Sequence, residues 1–199
     1  ITAAFGTSLY PSAGLRHFFA YGEDGSSPIL RLKWLKLTGA NISNVPQAYT
    51  DAIRKWAGRW SSDNGGVALV LGIGARLFAT ECWFYANKAK QGGSIVVLFE
   101  AAATLVDTNV THNIATSEVD KLASGFTLEG GIGGIGGFNV KGNGQTGGGI
   151  NMTRGEVSNN AALHNTAGGA LCYDMSCEFH DVLFKNNSAS HGGGLAVEG

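Results

Sequence analysis

The chain has 199 residues, and 44% hydrophobic content is enough to build one domain with a sizeable core. A formal charge of −1 with 15% charged residues argues against a nucleic-acid binder, which needs an electropositive track along the phosphates, and no run of 18 uncharged apolar residues offers a membrane span. Thirty-one glycines against three prolines exclude collagen and point to tight turns or close backbone stacking.

Residues 1–28 have no sustained period; Pro11 and Pro28 mark turns, and Phe18, Phe19 and Tyr21 suit the covering of one end of a core. Residues 29–42 read as strand. Leu30, Leu32 and Trp34 alternate with Arg31 and Lys33, then Leu35 and Leu37 resume one position out of phase, which predicts a bend or bulge near Trp34. After Pro46, Gln47 to Trp60 has a helical stripe of Tyr49, Ile53, Trp56 and Trp60, with Arg54, Lys55 and Arg59 off it and facing water. Residues 1–64 are therefore expected to form an N-terminal cap or extension containing one strand (29–42) and one short helix (47–60).

From Gly65 a degenerate repeat begins and runs through 65–199. Asn87, Asn113, Asn143, Asn165 and Asn187 recur at spacings of 26, 30, 22 and 22 residues. Phe84, Val110, Val140, Ala162 and Phe184 stand three positions before them, and Ala89, Ala115, Gln145, Ala167 and Ala189 two after. Glycine runs precede the pairs Ile95/Val97, Ile150/Met152, Leu171/Tyr173 and Leu195/Val197, which are expected to point inward from short strands. Such a period without helical patterning predicts an all-β solenoid, whose stacked rungs bury together what no single rung can. The recurrent Asn is expected at a bend, bonding its counterpart on the next rung as an amide ladder.

GGAL at 168–171 with FKNN at 184–187, GGSI at 92–95 with FYAN at 84–87, and GGGL at 192–195 resemble the GGA[ILV] and FxxN motifs of polymorphic outer-membrane-protein repeats. Val110, Val140 and Ala162 depart from the aromatic of that pattern. The resemblance implies a right-handed parallel β-helix of the pectin-lyase-like type. Similar repeats occur in bacterial adhesins and in large surface or extracellular proteins of algae and protists, including fibrous appendages. It thus implies a non-enzymatic structural or adhesive segment of a larger extracellular or cell-surface protein. Partners would be further β-helix segments or other subunits, end to end or lateral, and carbohydrate. The alternative is a carbohydrate-active β-helix enzyme (polysaccharide lyase or glycoside hydrolase) or a polysaccharide-binding module. The chain opens ITAAFG without Met or a signal peptide and closes on AVEG just after another glycine run, so a fragment is expected.

Chemistry-bearing residues are sparse. Six positions before the recurrent Asn stand Glu81, Asp107, Gly137, Asn159 and Asp181. Glu81 and Asp107 would stack one rung apart and are the acidic pair best placed for a cation or for acid/base work. Gly137 breaks that column, no Arg or Lys is expected in it, and solvated rung surface is the simpler expectation. His17, His112, His164, His180 and His191 are scattered. No G-x-S-x-G, H-E-x-x-H or phosphate loop occurs, and GGIGGIGG (Gly130 to Gly137) lacks a following helix, so no cofactor or metal is expected. Cys172 and Cys177 suit either a disulfide or two small buried apolar groups, and Cys82 is expected to be free. Asn41, Asn109, Asn151 and Asn186 open N-glycosylation sequons.

Overall fold

The computed structural model describes residues 2–11, 16–22, 26–42, 65–90, 92–98, 100–116, 120–121, 127–128, 134–138, 148–163, 167–173 and 175–198. Among them there is no α-helix; the expected helix at 47–60 lies outside the described residues.

Three parallel sheets make up most of the molecule. A long sheet runs Thr2–Leu9, Ile29–Thr38, Arg76–Thr80 with Trp83–Tyr85, Ala102–Thr111, Gly149–Ser158 and Ser176–Lys185. A short sheet runs Phe18–Tyr21, Ala68–Leu71, Ile95–Leu98, Ile135–Phe138, Ala170–Tyr173 and Leu195–Glu198. A corner sheet of two-residue strands joins Lys88–Ala89, Ile114–Ala115 and Ala161–Ala162. In each, spatial order equals chain order, so the chain passes repeatedly from long to corner to short sheet and lays every circuit on the one before. Asp120–Lys121 and Thr127–Leu128 form a separate antiparallel pair. Residues before Gly65 share in the same sheets, since Phe18 registers with Ala68 and Ile29 with Arg76.

Alternation explains the long strands, but each changes phase once. Leu32 and Leu35 both point inward because Trp34 between them has φ 61. Glu81 (φ 53), Asp107 (φ 48), Arg154 (φ 52) and Asp181 (φ 55) take the equivalent place on later circuits. A left-handed residue costs about 1–2 kcal/mol for a side chain with a Cβ, so the bend persists because it turns the next residue, Leu35, Cys82 or Thr108, into the core. A second left-handed column closes the strand: Gly39, Ala86, His112, Asn159 and Asn186. There the chain turns into the corner sheet.

The inward columns stack like over like. Leu37, Phe84, Val110, Val157 and Phe184 form one, and Leu32, Ala79, Leu105, Met152 and Phe179 another. All but the last member of each are buried. Full burial of one such side chain contributes about 1.5–3 kcal/mol. In the short sheet both faces are covered. Ala68, Val70, Ile95 and Val97 belong to the main core, while Leu69, Leu71, Val96, Leu98 and Leu171 form a second cluster on the opposite face. The expected inward pair Leu171/Tyr173 therefore belongs to the outer face; Leu171 registers with Val96. The GG corners stack as closely as backbone allows. A Cβ on Gly169 would collide with the carbonyl oxygen of Gly194 on the following circuit.

Candidate functional site

Among the described residues, the recurrent asparagine is the polar group with the most extended hydrogen-bond row. Asn87 Nδ2 donates to Asn113 Oδ1, Asn113 Nδ2 to Asn160 Oδ1, and Asn160 Nδ2 to Asn187 Oδ1, each at 3.0 Å. The second Nδ2 hydrogen of each bonds a carbonyl one circuit back: Leu37, Phe84, Val110 and Val157 for Asn87, Asn113, Asn160 and Asn187. Each Oδ1 also accepts a backbone N–H, from Ala40, Asn87, Asn113 and Asn160 in turn. Asn113 and Asn160 thus satisfy both donors and both acceptor positions while fully buried. Asn143 and Asn165, expected as ladder steps, lie outside the described residues; the place between Asn113 and Asn187 is taken by Asn160. Val157 and Ala162 flank it as Val110 and Ala115 flank Asn113. The first place falls to Ala40, which has no side-chain amide. There His17 stands, its Nε2 3.2 Å from the Thr38 carbonyl. Burial holds the His17 imidazole below its ordinary pKa, against the hydrogen bonding that favours its charged form.

The shift of frame corrects the acidic column. Glu81 and Asp107 are neighbours on adjacent strands, with the Glu81 N–H donating to the Val106 carbonyl at 2.9 Å. The next member is Arg154, followed by Asp181. Gly137 instead pairs with Val97 and Cys172 in the short sheet, and Asn159 belongs to the second left-handed column. The expectation that no basic residue shares the column is therefore overturned. Arg154 grips Asp107 through two bonds, Nε to Oδ1 at 2.7 Å and Nη2 to Oδ2 at 2.8 Å. That guanidinium holds the Asp107 carboxyl below its ordinary range, and Asp107, aided by Asp181, raises the pKa of Arg154. A general acid needs the opposite shift, and both Asp107 oxygens are committed to Arg154. The column lies on an exposed sheet face, with Glu81 and Asp181 open to water. No group of three or more His, Cys, Asp and Glu side chains placed to hold a metal occurs among the described residues.

No family model, curated protein or solved structure matches the chain. The functional reading therefore rests on geometry.

Other candidate residues take separate places. Cys172 and Cys177 are joined by a disulfide across the turn from the short sheet to the long one, and Cys82 is a buried free thiol whose pKa burial pushes up. Asn41, Asn109 and Asn186 are exposed, whereas Asn151 donates to Glu178 Oε2 at 2.9 Å.

A basic and aromatic patch on the outward face of the long sheet escaped the sequence reading. Arg31, Lys33 and Lys36 lie on one strand, three of the fourteen Lys and Arg residues of the chain. In register, Arg31 faces Phe78, Lys36 faces Trp83 and Thr38 faces Tyr85. The Arg31 guanidinium stands 4.5 Å from the Phe78 ring centre, and the Lys36 ammonium 4.5 Å from Trp83 and 4.6 Å from Tyr85. Lys33 lies 4.3 Å from Trp34. Trp83 Nε1 donates to Thr111 Oγ1 at 2.7 Å and its ring stands edge-on to Tyr85, leaving the residue 41% exposed. The signal was present in the outward positions of 31–36 and 78–85, but it becomes visible only when the two strands are laid side by side.

At the far end the inner columns stop short of cover. Cys177, Phe179, Val182 and Phe184 are half-buried where Ile150, Met152 and Val157 are buried, and Val197 is 71% exposed. This end presents strand edges and apolar side chains together.

Proposed function

We propose that the three parallel sheets form one right-handed parallel β-helix of the pectin-lyase-like type. The chain serves as a non-enzymatic structural or adhesive segment of a larger extracellular or cell-surface protein. The observation that carries this reading is the amide ladder: an inward polar position repeated on four circuits is spent on holding circuits together. The disulfide supports an oxidising compartment. Commitment of both Asp107 oxygens to Arg154, on an open face, supports a scaffold over a hydrolase or lyase. The half-covered end supports assembly with a further circuit of the same pattern, which would pair with Ser176–Lys185 and cover Phe179, Phe184 and Val197.

The test is turnover. Purified chain is incubated with acidic and neutral polysaccharides, and new reducing ends and unsaturated uronates are measured. None is expected. Turnover that Glu81→Gln or Asp107→Asn abolishes would overturn the non-enzymatic reading.

A further inference from the structure

We infer that the patch formed by Arg31, Lys33, Lys36, Trp34, Trp83 and Tyr85 is a binding face for an acidic polysaccharide, a polymer of uronic-acid pyranosides. Aromatic rings and cations here serve each other: each ring's negative face orients an ammonium or guanidinium above it. The cations are thereby held at fixed places on a flat support instead of ranging through water. Lys36 is shared by two rings, which places one positive charge between the two aromatic surfaces. An apolar sugar face stacks on an indole, and the carboxylate of the same or next sugar meets the ammonium.

The spacing agrees with a polymer of modest charge. From Arg31 to Lys36 is five residues, about 16 Å of strand, carrying three cations. That density suits one carboxylate per sugar ring rather than several sulfates. Among the described residues, Glu81 is the one carboxylate that the first two complete long strands turn outward within the patch. Along the same face the balance then shifts, with Glu156, Glu178 and Asp181 against Arg154 and Lys185 on the last two strands, and Arg154 is committed to Asp107. The end of the sheet at Arg31 to Lys36 is therefore the one that favours an anionic chain. Single-stranded nucleic acid would also accept rings interleaved with cations. The choice of a glycan rests on the extracellular reading above, which the disulfide supports; the site itself rests only on its geometry.

Isothermal titration of the 199-residue chain with polygalacturonate, dextran and single-stranded DNA tests the inference. Polygalacturonate is expected to bind, more weakly as salt rises, and dextran is not. Trp83→Ala and Lys36→Glu should each weaken binding about tenfold, a change of about 1.4 kcal/mol. Lys36→Arg should retain it, and Lys185→Ala, at the other end of the face, should leave it unchanged. If Trp83→Ala lowers the melting temperature, Trp83→Phe and Lys36→Glu carry the comparison. Absence of binding to both polygalacturonate and DNA, or binding that Lys36→Glu leaves intact, would overturn the site. DNA binding lost in Lys36→Glu, without polygalacturonate binding, would keep the face and overturn both the glycan and its extracellular basis.

Discussion

Replacing Asn113 by Ala removes a fully connected, fully buried step of the ladder. Its Oδ1 accepts the Asn87 N–H and one Asn87 Nδ2 hydrogen, and its Nδ2 donates to the Phe84 carbonyl and Asn160 Oδ1. Asn160 Oδ1 keeps the Asn113 N–H, so three buried groups are left short of a partner. Each unsatisfied group costs about 1–3 kcal/mol, and water entering the space left by the amide offsets part of that. The expected loss is about 3–5 kcal/mol in urea denaturation followed by tryptophan fluorescence. Asn187→Ala should lose only about 1–2 kcal/mol, because Asn187 is half-buried at the end of the row and water replaces its partners. Asn109→Ala, on the exposed outward face, should change stability by less than about 0.5 kcal/mol. If Asn113→Ala costs no more than Asn187→Ala, the ladder is not a cooperative support and the reasoning fails.

Three further outcomes follow from the same geometry. Gly155 has φ 131 and a Cβ there would collide with the Thr108 carbonyl oxygen; Gly155→Ala should cost about 2–4 kcal/mol by urea denaturation, and a neutral result would refute the close stacking of these circuits. Cys82 is the free thiol in a chain with three cysteines, so iodoacetamide at neutral pH should label nothing in the folded protein and one thiol after unfolding without reductant. His17 has its pKa lowered from 6.5 by burial. The unfolded chain then binds more protons between the two pKa values, so its contribution to stability is complete above pH 6.5 and is lost as pH falls toward the folded value. Denaturation curves of the wild type should fall more steeply across that window than those of His17→Gln; identical pH profiles would refute the burial argument.

The all-β character was legible because hydrophobic alternation is local: Leu30, Leu32, Leu35 and Leu37 mark both the strand and its change of phase at Trp34. Lateral alignment was harder. Equal spacing of 22 residues drew Asn143 and Asn165 into the ladder, whereas the actual steps lie 26, 47 and 27 residues apart. The flanks carried the better signal, since Val157-Ser-Asn-Asn160-Ala-Ala162 repeats the apolar-x-x-Asn-x-Ala pattern of Phe84 to Ala89, Val110 to Ala115 and Phe184 to Ala189. Reading Asn160 as the step also puts Arg154 six positions ahead of it, beside Asp107. The outward patch was illegible for the same reason. Which side chain neighbours Lys36 depends on where a 47-residue circuit closes, and neither Lys36 nor Trp83 records that alone.

The unequal circuits have a mechanical consequence. Ladder steps close after 47, 26, 47 and 27 residues, counting from Ala40, yet the strands regain the same register each time. Pulled from its ends, the chain peels one circuit after another. At about 3.5 Å per extended residue, the short circuits release about 90 Å of contour length and the long ones about 160 Å. A force–extension trace would therefore carry two step sizes in alternation, a record of the winding written in lengths of slack.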